Sequence, residues 1–316
     1  SRVTEPLNKI GVKFFPKGKK HLPISILGSN YLRPINYYEK RGSAQCKTCV
    51  MLASLNTPGE MRIYAKRSRD HTELMFNNLN IPIEIKKKNN IDFIKTSSPN
   101  ILKAYNVSVP GDISSAAFFI VLTLLSKNSK LVLKNINLNP SRLGILKILK
   151  MMGANIKIIK KDSSKGEKSG NIIVKSTNKL KAINCPASLN SSAIDEFLII
   201  FLIAARSEGI SHFKNLSELN KKESPRLKLG SKILNMIGIK TKVTEHSIKI
   251  YGKPNLNLNK NYEIKNYLKD HRIMAMCTIA ALTLGGKWKI YDPDSINTSF
   301  PSFTEILKKN FKVKLK

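Results

Sequence analysis

Cysteine, tryptophan and acidic side chains are all scarce in this chain of 316 residues. Its four cysteines, Cys46, Cys49, Cys185 and Cys277, include one CxxC pair, and no second pair or His-x-His spacing completes a zinc set. The pair lies inside an apolar helical run, Cys46-Lys-Thr-Cys49-Val-Met-Leu-Ala, so these thiols read as small core residues in a reduced, cytoplasmic setting with no metal role. Long apolar stretches are missing too. None reaches the about 18 uninterrupted apolar residues of a spanning helix, and no secretory leader is read within these residues. Aromatic residues make up 7% and are not interleaved with basic ones, which removes the stacking platform used for single-stranded nucleic acids.

Acidic residues number 21 against 55 basic ones, leaving a formal charge of +34. A charge of that size is the footprint of phosphate binding, and a basic nucleic-acid binder is one reading of it. Only ten of the basic residues are arginine, and lysine, asparagine and isoleucine are over-used together, as an AT-rich genome would produce. The lysines flank nearly every apolar run and do not gather on one helix or tail. Such a charge draws small anions, phosphorylated metabolites among them. With 41% hydrophobic residues, the chain can bury a large core, and its length suits two domains.

One unit is used repeatedly. In RGSAQCKTCVMLASLNTPGEMRIYAKRSRDHTE, from Arg41 to Glu73, a small polar entrance leads to an apolar helix, a Gly or Pro turn, a strand and a second helix entrance. The pattern returns in VPGDISSAAFFIVLTLL with NPSRLGILKILKMMGANIKII, in LNSSAIDEFLIIFLIAARSEG with KKESPRLKLGSKILNMIGIKTKV, and in LKDHRIMAMCTIAALTLGG with NTSFPSFTEILKKNFKVKL. Paired entrances are 26 positions apart at Ala44 and Asp70 and at Ser115 and Ser141, 30 at Ile194 and Ser224, and 31 at His271 and Ser302. The first helix of each unit is apolar all round and predicts burial; the second carries the stripe of a surface helix. SRVTEPLNKIGVKFF resembles the second helix and closing strand of a unit, so the sequence is expected to be a fragment of a longer protein.

A buried helix must satisfy its first N–H groups, and Ser, Asp and Gln at these entrances can do so as caps. Basic residues also stand there: Arg69, Arg142, Lys222 with Arg226, and Arg272. Helix N-termini ordinarily attract acidic residues, so cations beside them point to a bound anion.

SAQCKTCVMLASLNTPG, SRDHTE, VPGDISSAAF, NPSRLGIL, Ile194-Asp195-Glu196, KKESPR, DHRIMA and TSFPSF occur in the order and spacing of the 5-enolpyruvylshikimate-3-phosphate synthase family, which the whole chain resembles. The SAQ entrance and TPG turn look closer to the bacterial subclass known for glyphosate tolerance. The resemblance implies an α/β (α+β) fold of two domains, each of three repeated βαβαββ-type units whose buried parallel helices point their N-termini at an interdomain cleft. Residues 1–108 would be the remnant of an incomplete first domain and 109–316 a second domain of three units. The implied reaction transfers the enolpyruvyl group of phosphoenolpyruvate to the 5-hydroxyl of shikimate 3-phosphate, through a tetrahedral intermediate that releases phosphate. It needs no metal or organic cofactor, and a monomer is expected, with no membrane or specific nucleic-acid partner.

By the same resemblance, Ser43, Ala44, Gln45 and Arg69 would hold shikimate 3-phosphate, together with Asp195 and Lys222. Gln45, Arg226 and Arg272 would hold phosphoenolpyruvate. Asp195 is the leading base, Lys222 stabilises charge or moves a proton, and Glu223 is a second acid–base candidate; the carboxylates titrate as a coupled set with the lysine, so their division of labour stays open. A helix cap is the bland alternative for Asp195. The chain departs from the family at Pro225, where an Asp that would orient Arg226 is usual, and at Thr298, where some relatives carry a phosphate-contacting lysine. The family's Lys-Ser pair and Gly-Asn-x-Gly-Thr loop lie outside these residues, so little turnover is expected of them alone. A non-catalytic basic binder on the same fold and the sister transferase acting on UDP-N-acetylglucosamine are the alternatives.

Overall fold

The computed structural model describes residues 2–19, 21–161, 166–311 and 313. Among these, one compact unit extends to Val109 and includes 166–168, and a second begins at Pro110.

The first unit opens with α1 (Thr4–Ile10) and an antiparallel pair, β1 (Lys13–Phe15) with β2 (Ser25–Leu27). A full repeat follows: β3 (Asn36–Glu39), α2 (Ala44–Ser54), β4 (Glu60–Lys66), α3 (His71–Asn78), β5 (Ile83–Lys88) and β6 (Ile91–Ser97). The strands order as β3-β4-β6-β5, with β3 and β4 parallel and the other pairs antiparallel. Parallel neighbours need a crossover, and α2 supplies it. Thr57-Pro58-Gly59 brings the chain back, with Gly59 at φ 85°, a conformation strained for any side chain. Asn89 and Asn90, at φ 48° and 62°, are the two left-handed residues that a tight β5–β6 hairpin demands. Alternation turns Met61, Ile63 and Ala65 of β4 inward onto Val50 and Met51 of α2 and Phe76 of α3.

In the second unit the same plan recurs. α4 (Ile113–Leu125), β7 (Lys130–Asn137), α5 (Gly144–Met151), β8 (Ile156–Lys161) and β9 (Ser169–Lys175) form a sheet of order β7-β9-β8. Gly111 adds a parallel bridge to Ile136 where the repeat's leading strand would lie. Next come α6 (Asn190–Ala193), α7 (Phe197–Ala205), β10 (Ile210–Phe213), α8 (Arg226–Met236), β11 (Thr241–Val243) and β12 (Ile248–Tyr251), ordered β10-β12-β11. Parallel bridges Lys181 to Glu208 and Asn184 to His212 again stand in for the leading strand. Last, β13 (Leu258–Ile264) and β14 (Gly285–Ile290) pair in parallel across α9 (His271–Leu284), and α10 (Phe303–Phe311) follows.

The apolar helices are interior, as their composition requires. Every residue of α7 is buried, and so is all of α4 except Ser115 and Leu125. Helices α4, α7 and α9 pack on one another in each pairing. Phe119 of α4 meets Phe300, Phe303 and Phe311 at ring separations of 5.9, 5.8 and 5.5 Å, which anchors α10 to this core. No helix among the described residues is long and apolar enough to cross a membrane.

Candidate active site

The entrances of α4, α7 and α9 are linked to one another through Ser114, Glu196, Asp195 and Arg272, and a cluster of charged residues lies there. Asp195 was open to reading as a cap, but the N-cap of α7 is Glu196, which makes no side-chain cap. The Asp195 carboxylate instead faces cations: its Oδ1 lies 3.2 Å from Lys222 Nζ and 3.6 Å from an Arg226 nitrogen. Arg272 Nη1 donates to the Asp195 carbonyl oxygen at 3.0 Å and stands 4.0 Å from Glu196 Oε1. Asp195, Lys222, Glu223, Arg226 and Arg272 are therefore joined in one network.

Arg226 is the centre of that network and is only 1% exposed. Its Nε and Nη2 donate to Asp270 Oδ2 and Oδ1 at 2.9 and 3.3 Å, and Glu223 Oε2 lies 2.6 Å from Nη2. Asp270, fully buried, also accepts from Ser224 Oγ at 2.7 Å and caps α9 by accepting from Arg272 N–H at 2.9 Å. Burial by itself would push the Asp270 carboxyl up. Arg226, Ser224 and the Arg272 N–H outweigh it and hold the group below the ordinary aspartate range.

Around Glu196 the network continues. Its buried carboxylate accepts from Ser114 Oγ, and burial raises its pKa despite the nearby Arg272 charge. Arg142 donates to Ser114 Oγ at 2.5 Å and to Asp112 Oδ1 at 2.8 Å, while Asp112 caps α4 through the Ser115 N–H. Cations beside helix entrances suggested a bound anion from sequence. At Arg142, Lys222 and Arg226 the structure supplies protein carboxylates as partners, so those three positions do not by themselves require a ligand. Lys222, with a side chain 28% exposed, is more accessible than Arg272, Arg142 and Arg226, at 15%, 14% and 1%.

Ser43, Ala44, Gln45 and Arg69 belong to the first unit. Ser43 caps α2, its Oγ accepting from Cys46 N–H at 3.3 Å, and Gln45 is exposed on the first turn. Buried Glu39 gathers the N–H groups of Arg41, Gly42 and Ser43 at 3.0, 2.6 and 3.0 Å and so fixes the approach to the helix. Arg69 precedes Asp70, the N-cap of α3, and its carbonyl accepts from Lys47 Nζ of α2 at 2.9 Å. Cys46 and Cys49 are free thiols on that helix.

Sequence reasoning passed over Asp270, Glu196, Glu39 and the buried Lys47, and gave Arg142 no carboxylate partner. Asp270 could have been found from its N-cap position ahead of an apolar helix. Glu39 binds N–H groups only two to four positions on, whereas the partners of Lys47, Arg142 and Glu196 lie 22 to 82 residues away and carry no local signal. Pro225 sits at the N-cap of α8, one position before the helix proper, where it forfeits no helical N–H. Thr298 Oγ1 is bonded to the Ser295 carbonyl at 2.9 Å.

A family profile described as EPSP synthase (3-phosphoshikimate 1-carboxyvinyltransferase) matches residues 1–307. The 3-phosphoshikimate 1-carboxyvinyltransferase of Petrotoga mobilis is 37% identical over 310 residues, 98% of this chain and 70% of that protein. An EPSP synthase structure from Acinetobacter baumannii superposes with a TM-score of 0.84 at 34% identity, covering 98% of this chain and 69% of that one. The enolpyruvyl transferase NikO from Streptomyces tendae, at 15% identity and a TM-score of 0.74, shares the fold. On the extent of these matches, together with the repeated units and the network at their helix entrances, this chain belongs to the EPSP synthase family.

Proposed function

We propose that this protein transfers the enolpyruvyl group of phosphoenolpyruvate to the 5-hydroxyl of shikimate 3-phosphate, releasing phosphate, a step in aromatic amino acid biosynthesis. The observation that carries the reading is the Asp195 carboxylate held against Lys222, with Arg272 bonded to the peptide oxygen of the same aspartate. A carboxylate paired with an ammonium at 3.2 Å can accept the hydroxyl proton while the hydroxyl oxygen bonds to the central carbon of the enol ester. A proton delivered to the methylene carbon completes the tetrahedral adduct, and Lys222 or Glu223 is its donor. Returning that proton and breaking the carbon–oxygen bond to phosphate gives the product. Arg272 is the cation we assign to phosphoenolpyruvate, since its guanidinium is fixed by the Asp195 carbonyl oxygen and stands 4.0 Å from the Glu196 carboxylate, farther than an ion pair in direct contact. Arg226, enclosed by three carboxylates, takes part by holding Asp195 and Asp270 in place. Ser43, Ala44, Gln45 and Arg69 are assigned to shikimate 3-phosphate.

Titration calorimetry of the 316-residue chain with each substrate tests this. Arg272→Ala is expected to weaken phosphoenolpyruvate binding about 10- to 100-fold, the worth of charge-assisted hydrogen bonds. Asp195→Ala is expected to weaken shikimate 3-phosphate by a similar factor. A wild-type chain that binds neither compound, or variants that bind as the wild type does, would sink the reading.

A further inference from the structure

Lys47 is 0% exposed, placed between the two cysteines of the CxxC run on α2. A lysine is among the costliest residues to bury, and a buried ion pair is commonly no more stable than apolar residues of the same volume. Its presence calls for a reason other than stability. The ammonium makes two contacts, an ion pair with Glu73 of α3 and a hydrogen bond to the Arg69 carbonyl at 2.9 Å. Beside it, Thr48 and Thr72 join the same two helices hydroxyl to hydroxyl at 2.6 Å. Glu73 is itself buried, and its Oε2 has no hydrogen-bond partner among the described residues. Burial raises its pKa, against the lowering pull of Lys47. The pair is thus kept where neither member is well solvated, and what it grips is the peptide that carries Arg69.

We infer that Lys47, held by Glu73, is a positioning residue for shikimate 3-phosphate recognition. It fixes the Arg69 peptide to the second turn of α2, so that Arg69 and the α2 entrance at Ser43, Ala44 and Gln45 form one rigid set. An ammonium does this where an apolar side chain cannot, because only a donor can hold a carbonyl oxygen. The inference rests on the assignment of Arg69 and the α2 entrance given under the proposed function.

The decisive variant is the paired replacement Lys47→Met with Glu73→Leu, which removes both charges and keeps the volume. Melting temperature, calorimetric affinity for shikimate 3-phosphate and the ¹⁵N–¹H NMR signal of the Asp70 amide, which is bonded to the Arg69 carbonyl, are measured on the wild type and the pair. Expected are a melting temperature equal to or above the wild type, an affinity at least tenfold weaker, and an Asp70 amide that becomes mobile without ligand. The single variant Lys47→Met, which strands Glu73, should lose both stability and affinity. A stable paired variant with wild-type affinity and an unmoved Asp70 amide overturns the inference and leaves a structural pair. A wild type that binds no shikimate 3-phosphate sinks the substrate assignment, while the Asp70 amide still decides whether Lys47 positions the loop.

Discussion

Asp270→Asn is expected to lower the melting temperature of the second unit by about 6–12 °C at neutral pH, a size that follows from where the side chain sits. Asp270 and Arg226 are 0% and 1% exposed and bonded through two nitrogens. Removing one partner of such a pair leaves the other charge uncompensated, at a cost of about 3–5 kcal/mol. The lower end applies here, because Glu223 and Asp195 remain 2.6 and 3.6 Å from Arg226 and asparagine still accepts from Ser224. For a unit of about 200 residues, each kcal/mol moves the midpoint by about 2–4 °C. Acid supplies an internal control. The native carboxyl lies below the ordinary aspartate value, so its contribution is complete above about pH 4 and fades as pH falls through the native value. Scanning calorimetry should therefore show a wild-type advantage that is full at pH 7 and shrinks toward pH 3. A loss smaller than about 2 °C at pH 7, or a gap that persists unchanged in acid, would refute the reasoning, since a pair worth about 3 kcal/mol could give neither.

Gly144→Ala should destabilise by about 1–3 kcal/mol, read as a lower urea midpoint at unchanged slope; a Cβ there would stand 2.7 Å from Ser192 C and 2.8 Å from Ala193 N, backbone that cannot retreat cheaply. Burial, then the Arg272 charge, hold the His271 pKa below its usual value. The stability from keeping it neutral is present above about pH 6.5 and lost as pH falls through the native value, so His271→Gln should flatten the melting-temperature profile on the acid side. Among the thiols, burial raises Cys277 strongly and Cys185 to about 11, so a disulfide reagent at pH 8 should leave Cys277 unmodified until the chain is unfolded. Rapid native labelling of Cys277, followed by peptide mapping, would contradict its burial.

The fold was legible in the sequence wherever its cause was local. An all-apolar run such as FLIIFLIAA, with its polar entrance and Ala-Ala end, reads as an interior element and by its length as a helix, and Thr57-Pro58-Gly59 reads as a turn. Caps at Ser43, Asp112 and Asp270 follow from residue type at a helix start, and each is observed. The sheet order was less accessible, because in the second unit the leading strand of the first two repeats shrinks to isolated bridges at Gly111, Lys181 and Asn184. Short runs such as KAIN carry too little alternation to announce them.

In the site, sequence identified the charged residues but not their partners. Ser114 reaches Glu196 across 82 positions, Arg272 reaches Asp195 across 77, and Arg226 reaches Asp270 across 44. Each link joins one repeat to another, so no window within a repeat contains both ends. Pro225 shows the consequence. Read locally, the missing carboxylate at that position left Arg226 without an orienting partner. In the folded chain Asp270 takes that part from the entrance of the following repeat while also capping α9, and the Pro225 carbonyl still accepts the first helical bond from Leu229 N–H at 3.0 Å. Restoring a carboxylate with Pro225→Asp should therefore add little to stability, because Arg226 already faces three. It should instead crowd a fourth acidic group against Asp195, Glu223 and Asp270. A melting temperature raised by more than about 4 °C in that variant, the worth of 1 kcal/mol or more, would show that Arg226 had lacked a partner after all.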